Sequence, residues 1–295
     1  MSILELIAAF GGGLFGAAIG GLPAFIITGV LAIAGGVAQM SGADASAAIN
    51  YIAFGSFLGP HIAFAGGVAA SAFAHRKGLT DNGADIGTPL NGLMNSSVLL
   101  VGGLFGVIGY LIKYFYQFIC HFGGDVSTKL VTDLPGITVV TSAILVRLRI
   151  GKKGLTGKYE GKEPRPWITG GTKGLIYNII LGFGFGLVVS GVGIALQNAG
   201  VDTSLYPVTC FGIAALGLVF AQTGSAYPGC HHIVLPAATA AVMSGTIIIG
   251  ALVGAICSVF GDFIGNTFNS YADSHIDPPA CTIFISIFII NAIWG

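Results

Sequence analysis

Apolar residues run along this chain in long, nearly continuous blocks. They cover 8–36, 45–59, 61–75, 94–118 and 133–149, and then 174–197, 206–222, 229–245, 247–268 and 279–294. A membrane-spanning helix uses about 20 mostly apolar residues, so the pattern predicts an all-α polytopic membrane protein of about ten segments. Residues 45–59 are short and contain Ser46, Asn50 and Ser56, so this segment either spans or re-enters.

The order of the blocks repeats. Gly12, Gly20, Thr28, Gly29 and Val30 fall on Gly174, Gly182, Ser190, Gly191 and Val192, and His61-Ile62 falls on His232-Ile233. Gly102, Leu104, Gly106 and Ile108 fall on Gly250, Leu252, Gly254 and Ile256. Asp133, Pro135, Thr138 and Ser142 fall on Asp277, Pro279, Thr282 and Ser286. Four blocks in the same order predict two sequence-related halves, 1–150 and 171–295, joined by a linker over 151–170. Five spans per half make the halves inverted, as in many transporters; four spans plus a re-entrant segment make them parallel. Inversion is the expected arrangement, with broken or re-entrant helices in each half.

Composition narrows the class. Apolar residues are 54% of the chain, 48 residues are glycine, and charged residues are only 8%, against about 25% in soluble domains. Mean hydropathy is +0.87. These values exclude a soluble globular enzyme, a nucleic-acid binder and a disordered tail. They place the chain in the lipid bilayer of an inner or plasma membrane.

Charge adds orientation. Eight of the 12 basic residues lie between Arg147 and Lys173, and none follows in the remaining 122 residues. The positive-inside rule puts this linker in the cytoplasm, and Arg76-Lys77 forms a smaller basic loop expected on the same side. Glu160, Glu163, Pro164 and Pro166 mark the linker as solvated loop. The N-terminal MSILELIAAF has an acid and no basic flank, so the first segment is expected to remain rather than to be cleaved as a signal. The five cysteines show no CxxC spacing and read as small buried hydrophobes.

The candidate chemistry gathers at breaks. Gly59-Pro60-His61 and Tyr227-Pro228-Gly229-Cys230-His231-His232 interrupt apolar runs at equivalent places. Unpaired backbone in a membrane is tolerated only where protein buries it or water reaches it. A broken helix also presents dipole ends near the midplane. His61 and His232 share a repeat position, and a neutral imidazole both donates and accepts. These two histidines, with His231 and the backbone of Gly59, Pro60 and Gly229, are expected to contact a small polar solute. Ser56, Thr223 and Ser225 flank the breaks. Thr138 with Ser142, and Thr282 with Ser286, lie four apart and form a possible polar stripe. Asp133 and Asp277 read more simply as helix caps before Pro, and Lys113 and Asp262 as anchors near helix ends.

No metal site or cofactor is expected. Adjacent histidines on a helix point about 100° apart, which leaves Cys230-His231-His232 a poor cage. The chain has no GxxxxGK[ST], HExxH or GxSxG pattern, and sequence alone pairs no carboxylates within the membrane. An enzyme is therefore not expected. The ladder Gly12, Gly16, Gly20 allows close helix packing, within one chain or between copies in a homo-oligomer. The sequence thus points to a channel or secondary transporter for a small polar solute, with a structural subunit of a larger membrane complex as the other class. A cysteine added at the C-terminus of the inverted arrangement is labelled by an impermeant maleimide from outside the cell; labelling from the cytoplasm only would establish parallel halves.

Overall fold

The computed structural model describes residues 2–121, 124 and 128–295. Among them the fold is all-helical, with a single isolated bridge between His121 and Leu130. The helices are α1 (Ile3–Ile19), α2 (Gly21–Met40), α3 (Ala63–Arg76), α4 (Ser96–Ile119), α5 (Leu134–Arg149), α6 (Gly171–Asn198), α7 (Tyr206–Gln222), α8 (His231–Ser244), α9 (Ile247–Ile264) and α10 (Pro278–Trp294). Four of them, α2, α4, α6 and α9 with the π-helical turn that continues it to Asn269, are long and apolar enough to cross a membrane.

One expected segment divides. The run 8–36 is not a single span: it breaks at Gly20, whose φ of 95° and ψ of 144° suit glycine alone. Pro23 follows in the first turn of α2, where its missing N–H costs no helical bond. Residues 45–59 form no spanning helix. They contain one π-helical turn, Ala48–Ala53, and then bends that lead to α3. Among the described residues each half therefore still has five α-helices, but α2 takes the place expected for 45–59.

The interior is built from small residues and the outside from large ones. Ala9, Ala17, Ala24, Ala32, Ala63 and Ala69 are fully buried, whereas Leu104, Phe115, Ile176, Ile180, Val188 and Ile256 are exposed. This inside-out grading suits a lipid surround, in which helix contacts depend on close approach rather than on hiding oil from water. Gly13 of α1 lies against Gly102 and Gly106 of α4, and Gly186 of α6 lies against Gly250 and Ala251 of α9. A Cβ at either glycine would collide with backbone.

The helix pairing of the second half matches that of the first. α1 packs on α3 and α4, and α3 on α4; α6 packs on α8 and α9, and α8 on α9. α2 packs on α7, and α5 on α10. The glycine contacts also correct the register of the first block. Gly106 meets Ala9 and Gly13, as Gly254 meets Gly182 and Gly186. Gly13 therefore corresponds to Gly186, eleven residues from the match by composition. Eleven residues are three helical turns, so the displaced match keeps the small residues on the same face.

α5 and α10 run antiparallel. α5 starts beside 130–132, where Asn291, near the end of α10, donates to the carbonyl of Leu130 at 3.3 Å. α10 starts beside Ser274, and Arg147 at the end of α5 holds that residue through Nε to Oγ at 2.6 Å and Nη2 to the carbonyl at 2.7 Å. Arg147 is 1% exposed. Its Nη1 reaches the linker carbonyl of Leu155 at 2.6 Å. Nearby, the backbone N–H of Lys152 donates to Asp273 at 2.6 Å, and Arg165 donates to the carbonyls of Asn266 and Thr267, each at 2.7 Å. The linker is thus laced to the end of α9 and to the segment entering α10. At the other end of the molecule, the Gln39 amide donates to Asp202 at 2.9 Å and holds that carboxyl below its ordinary range.

Replacing Gly13 or Gly186 by Val forces backbone apart and should cost about 1–3 kcal/mol, read as a lower melting temperature in detergent. Gly11 and Gly184, where an added Cβ meets nothing within 4 Å, should accept Ala without loss.

Candidate functional site

Four short helices begin inside the protein, and their starts surround one cavity of about 630 Å³. α3 and α8 each have 14 residues, α5 has 16 and α10 has 17. At 1.5 Å per residue, roughly, none exceeds about 26 Å. In a bilayer core of about 30 Å, a helix of this length would leave part of the thickness to non-helical chain, which must bring its own hydrogen-bond partners.

α5 and α10 solve this alike. Asp133 accepts from the N–H of Gly136 at 2.6 Å, and Asp277 from that of Ala280 at 2.7 Å. Pro135, Pro278 and Pro279 fill the first turns and have no N–H to satisfy. The two starts touch: a Cβ on Gly136 would stand 3.2 Å from the carbonyl oxygen of Ala280. Two carboxylates 144 residues apart in sequence therefore line one cavity. Packing between the halves brings both into one lining, which sequence spacing alone does not reveal.

Three more polar groups join them. Lys113 of α4 lines the cavity and donates to the carbonyl of Phe54 at 2.8 Å. Its charge interacts with that of Asp133, though no ion pair within 4.0 Å forms between them. It is not the interfacial anchor expected from sequence. Asp262 sits elsewhere, accepting from Thr169, Asn178 and Asn266 beside the linker. His275 Nε2 donates to Asp277 Oδ1 at 3.1 Å. His231 lines the wall, its ring 5.0 Å from that of Phe25 and 5.8 Å from that of Phe211. The rest of the wall is largely apolar, with Leu22, Phe54, Phe64, Leu218 and Ile283. Asn50 and Gln117 are exposed at its rim.

Of the residues singled out by sequence, Pro60, Gly229 and His231 line the cavity. His61 and His232 lie behind it. His61 is 1% exposed, with its carbonyl against Gly109 of α4 and its ring against Gly59, while the His232 ring covers Gly261 of α9. Among the described residues the Nδ1 atoms of His61, His231 and His232 have no hydrogen-bond partner. Ser56 is half-buried off the lining, and Thr223 and Ser225 are exposed beyond the end of α7. Thr138 and Ser142 are fully buried on α5. Thr282 donates to the carbonyl of Pro278 at 3.0 Å, and Ser286 donates to that of Thr282. None of these four hydroxyls lines the cavity.

Lys113 and His275 went unread as site residues. Lys113 stands one residue from the repeat match of Asp262, which drew attention to helix ends. His275 lies in a polar loop whose fold back to the start of α10 no local pattern reveals. Among known proteins, the family described as a family of unknown function, DUF7973, matches residues 1–163 and 181–294. No curated protein and no solved structure matches the chain.

Because Asn caps a helix about as well as Asp, Asp133→Asn should leave the melting temperature unchanged, whereas Asp133→Ala should lose about 1 kcal/mol. Thermal unfolding of the purified variants in detergent reads the difference.

Proposed function

We propose that this chain, which belongs to the DUF7973 family, is an integral membrane transporter that takes a small polar solute into the cavity where α5 and α10 begin. The observation that carries the reading is a large cavity with an exposed rim on one side only of a hydrogen-bonded bundle. Its rim, Asn50 and Gln117, is exposed near the end of α4. At the other end of α5, outside the lining, Arg147, Ser274, Asp273 and Lys152 tie α5, the segment before α10 and the linker together. Such an unequal arrangement of the two ends suits alternating access better than an open channel. It also speaks against a purely structural subunit, which needs no central cavity.

We read the two halves as an inverted pair. The support is directional: the segments that follow α4 and α9 lie at opposite ends of α5, one beside Asp133 and the other at Arg147. With the linker cytoplasmic, the rim of the cavity faces outward, and the halves would exchange which side carries it.

The test uses purified protein in proteoliposomes and a panel of labelled amines, amino acids and carboxylates. Uptake of at least one solute well above protein-free vesicles is expected. Attaching a bulky maleimide to Asn50→Cys should stop that uptake by filling the rim. Absence of uptake across the panel, together with an Asn50→Cys that no aqueous reagent reaches, would overturn the reading.

A further inference from the structure

The helix starts that face the cavity would ordinarily attract anions, because the first-turn N–H groups of a helix are unpaired donors. At two of the four starts most of these donors are removed. In α10 the first two residues are Pro278 and Pro279, which have no N–H, and the N–H of Ala280 is taken by Asp277. In α5, Pro135 has none and the N–H of Gly136 is taken by Asp133. Both of these starts therefore bring an acidic residue into the lining.

The charge balance runs the same way. The groups lining the cavity include one lysine, Lys113, and two aspartates. The amine of Lys113 is already held by the carbonyl of Phe54. His275 gives its Nε2 hydrogen to Asp277. His231 is 6% exposed and its Nδ1 is unpartnered among the described residues. Acidic side chains thus outnumber lysine and arginine in the lining, two to one.

The walls complete the fit. Phe25, Phe54, Phe64 and Phe211 line the same space, and aromatic faces attract cations through the ring quadrupole. A volume of about 630 Å³ holds a body much larger than an inorganic ion or a water cluster. We infer that the cavity binds an organic cation with an apolar body, its ammonium drawn to the acidic residues of the lining, Asp133 and Asp277, and its hydrocarbon part against the phenylalanines. This deepens the transport reading and rests on it for the role of the site, but not for binding.

The test is a charge series at constant shape, titrated by calorimetry into the purified full chain in detergent: phenethylammonium, phenethyl alcohol and phenylacetate. The ammonium should bind, the alcohol roughly tenfold or more weakly, and phenylacetate not at all, since charge-assisted hydrogen bonds are about twice as strong as neutral ones. Asp133→Asn and Asp277→Asn keep a good cap, so both should elute and melt like the parent. Each should weaken phenethylammonium about tenfold and leave the alcohol unchanged. Equal binding of ammonium and alcohol, preference for phenylacetate, or no binding by any of the three overturns the inference. If the cation preference holds while proteoliposomes take up nothing, the transport reading fails and the cation site stands. If proteoliposomes take up only neutral or anionic solutes, the reverse is true.

Discussion

Helices that begin away from the molecular surface set the terms for everything else in this protein. A helix start leaves backbone donors without partners, and in a membrane no water is at hand to supply them. The chain meets this at α5 and α10 with an Asp at the cap and Pro in the first turn. That local solution has a distant effect. It places two carboxylates where the halves meet, and it leaves those two starts with few free amide donors.

The remaining structure holds those starts in place. Small residues let α1 approach α4, and α6 approach α9, until backbone touches backbone at Gly13 and Gly186. Glycine serves here for its missing side chain rather than for its flexibility. At the linker end, Arg147 fixes the entry to α10 by bonding both the hydroxyl and the carbonyl of Ser274. A buried guanidinium with its donors turned toward carbonyls is a costly group to place, and here it ties the end of α5 to the linker and to the entry of α10.

The sequence revealed the all-helical class and most of the segments, because long apolar runs mark helices that are apolar enough to cross a membrane. It also revealed the paired breaks and the caps, since Asp-x-Pro is a local signature with a local cause. It failed where the cause is non-local. The division at Gly20 was signalled by Gly20-Gly21-Leu22-Pro23, but glycine is so common here that one more carried no weight. His61 and His232 sit at the breaks but outside the cavity lining, because which face of a helix start meets a cavity depends on the helix packed behind it. The α1 block matched three turns out of register because a ladder of small residues looks the same after each turn. Lys113 is one charged residue in an apolar helix, and only the folded chain sets it opposite Asp133.

The halves correspond in their helices but not in their charges. Lys113 on α4 corresponds, in the register of Gly102 with Gly250, to Gly261 on α9, where the His232 ring fills the space instead. The same position is thus filled by a lysine stem in one half and by an imidazole packed on glycine in the other, so the two helix pairs, alike in backbone, are unlike in what they would resist if they moved.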